Sequence, residues 1–207
     1  MERTINYLGL VDYQPTWQAM RAFTDQRTAD TRDEIWVLEH PPVYTLGLAG
    51  KEEHILRHTA IPLVRTDRGG QVTYHGPGQL IVYPLIDFKR MHIGVRDLVR
   101  RIENSVIDTL AELGIEANGD VNAPGVYVAG SKIASLGLRI KNGAVYHGLS
   151  LNVDMDLTPF SWINPCGYAG LKVTQMKDLG VDLSVLQVAE KLLPHLDRHL
   201  TVMKETA

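Results

Sequence analysis

One thiol is present in the chain, Cys166, and it stands between Pro165 and Gly167 in the run Asn164-Pro165-Cys166-Gly167-Tyr168. That setting places it in a turn or loop, where a sulfur is accessible and backbone N–H groups are close by. A free thiol has a pKa of ~8.5, so little of it is thiolate at neutral pH unless a neighbouring cation lowers that value. Given such a neighbour, the sulfur is a nucleophile. The competing use of a lone cysteine is as a small buried hydrophobe.

Lys132 is the cation of interest, in Gly130-Ser131-Lys132-Ile133-Ala134-Ser135-Leu136-Gly137-Leu138. On a strand it would share a face with Ala134 and Leu136. A lysine in partly apolar surroundings has its ammonium destabilised and can serve as a base. The alternative is an edge-strand lysine that reaches out to water. Two further segments are too glycine-rich and polar to be core strands alone. One is Arg68-Gly69-Gly70-Gln71-Val72-Thr73-Tyr74-His75-Gly76-Pro77-Gly78-Gln79, whose glycines allow backbone to approach a ligand and donate N–H groups to it. The other is Tyr146-His147-Gly148-Leu149-Ser150-Leu151-Asn152. Spacing alone does not bring Lys132, His147 and Cys166 together.

Other chemistries fail on spacing or composition. Gly125 to Lys132 reads G-x-x-x-x-G-S-K, with Ser and Lys in the wrong order for a P-loop. Gly76-Pro77-Gly78 lacks the third glycine of a dinucleotide fingerprint. His54 and His58 lie four apart, but no Glu follows His54 and no third ligand is apparent, so they read as a pair of surface histidines. No Gly-x-Ser-x-Gly elbow occurs. A single cysteine excludes an internal disulfide and a thiolate cage for a metal. Lys+Arg 21 against Asp+Glu 24 leaves a net charge of −3, without the basic excess of a nucleic-acid binder. The run from Met1 to Leu10 lacks the pattern of a signal peptide, and no apolar stretch approaches the ~20 residues of a membrane span, so a cytoplasmic address is expected.

The elements that must position these residues are legible in part. Ile5–Leu8, Ile35–Leu38, Val43–Leu46, Leu63–Arg65 and Leu80–Tyr83 read as strands, with His40-Pro41-Pro42 as a stop. Trp17, Met20 and Phe23 recur at helical spacing within Thr16–Arg27. The clearest helix is Gly94–Leu113, with Val95, Leu98, Val99, Ile102, Val106, Leu110 and Leu113 as one apolar stripe and Gly114 ending it. Gly125–Val153 reads as strands with a tight turn at Lys141-Asn142-Gly143. A last helix starts near Ser184, with Gln187 as capping-box partner and Pro194 expected to kink or interrupt it. No linker or repeat divides the 207 residues, so one α+β domain on a mixed sheet is expected.

Arg68 through Gln79 fits R-G-G-x-x-T-aromatic-H-x-x-G-Q at every fixed position, with Tyr74 as the aromatic. This resembles the signature of the octanoyltransferases of lipoate biosynthesis. The resemblance continues through Ala123-Pro124-Gly125-Val126-Tyr127-Val128, Lys132 with Ser135-Leu136-Gly137, His147-Gly148-Leu149 and Asn164–Tyr168, roughly Glu34 to Gly170. It implies a fold like the lipoate–protein and biotin–protein ligases. It also implies that Cys166 is the acyl-accepting nucleophile, paired with Lys132.

By the same resemblance, Arg68 to His75, Ser135 to Gly137 and His147 to Ser150 bind substrate. Gly69, Gly70, Tyr74 and His75 would line the acyl tunnel or its mouth, and backbone amides at Ser135–Gly137 and Gly148–Ser150 would hold the acyl carbonyl. The implied donor is octanoyl-acyl carrier protein. The implied acceptors are apo lipoyl domains of 2-oxoacid dehydrogenases and the glycine cleavage H protein. A thioester donor is already activated, so no ATP and no metal are expected, and a monomer suffices. Lys89, Arg90, Arg96, Arg100 and Arg101 are a candidate docking patch for an acidic carrier. The rival readings are an ATP-dependent lipoate or octanoate ligase on the same fold, a non-catalytic carrier-binding protein, and a cysteine hydrolase with His147 as base.

Overall fold

The structure is a computed structural model that describes residues 3–121 and 123–201; Met1 and Glu2, read above with the N-terminal run, lie outside them. The elements in chain order are β1 (Thr4–Leu10), α1 (Tyr13–Asp25), β2 (Glu34–Glu39), β3 (Val43–Leu46), β4 (Leu63–Arg65), β5 (Val72–His75), β6 (Gln79–Asp87) and α2 (Val95–Glu112). After these come β7 (Asn118–Gly119), β8 (Gly125–Val128), β9 (Ser131–Lys141), β10 (Ala144–Asn152) and α3 (Val185–Leu200). A seven-stranded sheet has the order β1-β2-β6-β10-β9-β8-β7, and a three-stranded sheet the order β4-β3-β5. Each holds one parallel pair, β1 with β2 and β3 with β4, among antiparallel ones. The architecture is α+β with mixed sheets.

The large sheet is covered on both faces, which is why β6 and β10 carry runs of buried residues instead of strict alternation. On one face α2 and α3 pack Leu98, Ile102, Val106, Leu192 and Leu196 against Leu80, Val82, Val145 and Leu151. On the other, Met20 of α1 joins Leu38, Ile81, Leu85 and Tyr146. The small sheet has its own apolar cluster around Tyr44, Leu46, Tyr74 and Phe160. The α2 stripe is buried only from Leu98 onward. Val95 is 43% exposed and Val99 half-buried, because the first turn of the helix overhangs a cavity instead of the core.

Asn142 and Gly143, at φ 53° and 82°, make the tight turn that returns β9 into β10. Ser184 and Gln187 form the expected capping box on α3. Pro194 does not interrupt that helix, which runs on to Leu200. A proline there costs about 3 kcal/mol in a helix interior, but Leu192, Leu193, Leu196 and Leu200 are all buried and keep the segment in register. Pro194 itself is exposed, so Pro194→Ala restores a backbone donor at little cost in packing. The substitution is expected to stabilise the fold by about 1–3 kcal/mol. Urea unfolding measures it, and an unchanged or lowered midpoint would contradict the account.

Candidate active site

Cys166 and Lys132 meet. Lys132 Nζ lies 3.1 Å from Cys166 Sγ and donates to the Pro124 carbonyl at 3.0 Å, 5.2 Å from the centre of the Tyr127 ring. Lys132 is 2% exposed and sits on β9, an interior strand, which removes the snorkelling alternative. A bulge between β8 and β9 at Val126/Tyr127 also breaks the expected alternation: Ile133 and Ala134 both enter the core. Lys132 does not share an apolar face with Ala134; its side chain lines the cavity beside the sulfur.

Backbone bonds lock the two residues together. The Lys132 N–H donates to Lys172 O at 2.8 Å and Thr174 N–H to Lys132 O at 2.9 Å, so the chain beyond Gly170 runs alongside β9. On the other side of the cysteine turn, Asn164 N–H donates to His54 O at 2.8 Å and Ile55 bridges Ile163. Cys166 itself is left-handed, at φ 57°, a conformation that costs a non-glycine residue about 1–3 kcal/mol and persists only where its surroundings impose it. His54 is therefore not one of two surface histidines. It is half-buried against the cysteine turn, and only His58 is exposed.

The cavity has a volume of about 400 Å³. Cys166 and Lys132 border it with Ser135, Leu136 and Gly137 of β9 and His147, Gly148, Leu149 and Ser150 of β10. Arg68, Gly69, Gly70, Gln71, Val72, Thr73 and His75 close another wall. Tyr74 is the exception: it faces the small-sheet cluster, against Tyr44 and Phe160, because alternation along β5 turns it away from the cavity that Thr73 and His75 border. Leu149 and Ser150 pair with β6 on one side and β9 on the other, so their amides belong to the ladders. On β9, by contrast, β8 ends opposite Ser135, and the next contact on that edge is Gly69 N–H to Leu138 O. The Leu136–Gly137 stretch of that edge borders the cavity.

Sequence reading missed several residues here. Tyr13 of α1, Ile81 and Tyr83 of β6, and Val95 and Val99 of α2 also line the cavity. Tyr13 and the two α2 valines fall at helical spacings that also fit a core, so nothing in the sequence sets them apart. His40, read as part of a strand stop, is buried, with Nδ1 2.6 Å from Val11 O and Nε2 2.8 Å from the Tyr83 hydroxyl. Asp67, next to the signature arginine, accepts from Trp17 Nε1 at 2.7 Å, His147 Nε2 at 3.0 Å and the Tyr146 hydroxyl. His147 is left-handed within β10, at φ 59°, where the β10–β6 ladder breaks opposite Pro84, a residue with no N–H to lose.

The electrostatics are unusual for a buried site. Arg68 donates to Thr45 Oγ1 and O, Gly69 O and Gln71 O, and among the described residues no ion pair with a carboxylate is formed. Burial would lower the Lys132 ammonium, but attraction and hydrogen bonding to Cys166 and Tyr127 outweigh it and raise its pKa. Among the described residues no cluster of three or more His, Cys, Asp or Glu side chains could hold a metal. No helix among them is long and apolar enough to cross a membrane.

Residues 12–197 match the family model of the lipoyl protein ligase A/B catalytic domain. The octanoyltransferase of Chromobacterium violaceum is 75% identical over 207 residues, all of both chains. That of Laribacter hongkongensis is 72% identical, covering 95% of each. Among solved structures, lipoate-protein ligase A bound with ATP superposes with a TM-score of 0.81 at 18% identity, over 97% of this chain and 86% of the other. A biotin protein ligase from Aquifex aeolicus gives 0.63 at 15%, over 99% and 73%. The chain belongs to the lipoyl protein ligase A/B catalytic family. Its branch there is that of the octanoyltransferases, and it is an acyltransferase of lipoate biosynthesis and protein lipoylation.

The buried histidines carry a pH signature. Burial holds His40 down to about 4 and His75 to about 3, with neighbouring histidines adding to the lowering. Both stay neutral in the fold while an unfolded chain, titrating near ~6.5, takes up protons. Above that pH they contribute no pH dependence; as pH falls from ~6.5 toward about 4 the unfolded state gains. Thermal melts between those pH values should show a falling midpoint, flattened in His40→Gln. A wild-type midpoint independent of pH across that window would refute this.

Proposed function

We propose that the chain moves an octanoyl or lipoyl group from acyl carrier protein, through a thioester on Cys166, to the acceptor lysine of apo lipoyl domains, those of the 2-oxoacid dehydrogenases and the glycine cleavage H protein. The observation that carries the reading is the 3.1 Å contact of Lys132 Nζ with Cys166 Sγ at the wall of a cavity. A ligase that activates a free acid with ATP needs no such thiol, and lipoate and biotin protein ligases share the fold at only 15–19% identity, whereas the octanoyltransferase of Chromobacterium violaceum is 75% identical. The reaction calls for neither ATP nor metal, takes place in the cytoplasm and is carried out by a monomer.

The chemistry closes on itself. The Cys166 thiolate attacks the carbonyl carbon of the octanoyl thioester, a new C–S bond forms, and the carrier's thiolate leaves with a proton from Lys132. The developing oxyanion falls at the open edge of β9, near Leu136 and Gly137. Lys132 is then neutral, and the anion that had raised its pKa has been consumed, while burial still disfavours the ammonium. It accepts the proton of the acceptor amine as that nitrogen attacks the acyl-enzyme. The C–N bond forms, the C–S bond breaks, and thiolate and ammonium are both restored. Lys132 thus acts as charge in one half-reaction and as base in the other. The acyl chain occupies the cavity between the Arg68–His75 wall and β10, with Tyr13, Ile81 and Tyr83 among the lining residues.

Of the basic patch, Arg90 is tied to Ala29 O and Thr31 O, and Arg101 to His199 O. Lys89, Arg96 and Arg100 stay exposed, and Arg96 and Arg100 stand beside the cavity-lining Val95 and Val99. These three are the residues for docking an acidic carrier.

Intact-mass spectrometry of enzyme mixed with octanoyl-acyl carrier protein, without ATP, should show an octanoyl adduct on Cys166 that moves to an added apo lipoyl domain. Cys166→Ala should form none, and Lys132→Ala should acylate about 10²–10⁴-fold more slowly. Transfer that requires ATP, or that persists in Cys166→Ala, would sink the reading.

A further inference from the structure

Glu103 lies on α2 in the helical register of the core-facing residues Leu98, Ile102, Val106 and Leu110, yet it is a carboxylate and only 9% exposed. Burying such a group is unfavourable unless a partner compensates it. The partner is a backbone amide: Gly125 N–H donates to Glu103 Oε1 at 2.7 Å in a buried hydrogen bond. That amide belongs to the Pro124–Gly125 peptide, whose carbonyl, Pro124 O, accepts the Lys132 ammonium at 3.0 Å. Because a peptide unit is planar, fixing its N–H fixes the direction of its C=O.

Gly125 leaves little play in this arrangement. At φ 147° it occupies a region that side chains rarely enter, and a Cβ there would collide with Lys132 Cε and come within 2.7 Å of Ala134 O. Lys132 therefore has one backbone acceptor, presented by a peptide that the Glu103 carboxylate holds from behind, beside its contacts with the sulfur and with Tyr127.

We propose that Glu103 is a positioning residue for the acyl transfer, which through the Gly125 amide aims the Pro124 carbonyl at Lys132 and so sets the ammonium against Cys166. The inference rests on the Cys166–Lys132 pairing proposed above and adds to it a residue that touches neither substrate nor sulfur. Charge is consistent with the placement: burial raises the Glu103 carboxyl, while the Gly125 amide, Lys132 and Arg100 oppose the rise and Asp120 adds to it. The hydrogen bond is what the role requires, so glutamine, whose Oε1 can still accept from Gly125, should replace the glutamate.

The test is a cycle on the full-length protein, read as the rate of Cys166 alkylation by iodoacetamide near neutral pH, with thermal melts as a control for folding. Glu103→Ala should slow alkylation about tenfold, the scale of one hydrogen bond to a charged group, and Glu103→Gln should stay within about twofold of wild type. Adding Glu103→Ala to Lys132→Ala should change nothing further, since the glutamate acts through the lysine. Glu103→Met, which fills the space without an acceptor, serves in place of Glu103→Ala if the latter does not fold. Wild-type alkylation in the apolar variant, a glutamine variant as slow as alanine, or additive losses in the double variant would overturn the role. If instead Lys132→Ala alkylates at the wild-type rate, the pairing itself fails and the inference with it.

Discussion

A lysine ammonium buried to 2% exposure, held against a thiol and a peptide carbonyl, is the constraint on which the rest of this structure depends. Such a charge needs compensation, and here the groups around it are a thiol, a peptide carbonyl, the face of an aromatic ring and, behind that peptide, the Glu103 carboxylate. Arg68 adds to the same field from another wall, its guanidinium held entirely by carbonyl and hydroxyl oxygens that satisfy its donors without cancelling its charge. Two buried cations, Lys132 and Arg68, thus border one cavity together with Cys166.

Much of the surrounding architecture serves to hold that arrangement rigid. The cysteine turn is fastened through Asn164 and Ile163 to the segment around His54 and Ile55, and the chain beyond it is fastened to Lys132 by its own backbone. His147 and Asp67 tie β10 to the signature loop, at the one place where β10 leaves its ladder with β6. These fasteners carry little sequence signal, because they use main-chain atoms or single polar residues far apart in the chain.

What was legible follows from that distinction. The strands, α2, the Asn142–Gly143 turn and the α3 capping box are local patterns, and each has its cause within a few residues. The signature segments were legible because glycines and polar groups crowd into stretches otherwise patterned as strands. Tyr74 was misplaced for a simple reason: a motif records which residues occur together, not which face of β5 each one takes. Glu103 was invisible because an acidic residue on a helix reads as solvated surface until the partner strand is known. Pro194 does not interrupt α3, since the packing of four leucines outweighs a local penalty.

The separation of the paired residues along the chain has a further consequence for the life of the polypeptide. Lys132 and Cys166 are 34 residues apart, and the Asp67–His147 contact spans 80. No short segment emerging from a ribosome contains the pair in working order; closing it requires β8, β9 and the segment beyond Gly170 to have docked. The contact is therefore a property of the finished fold, carried by long-range pairing and by no local segment of the chain.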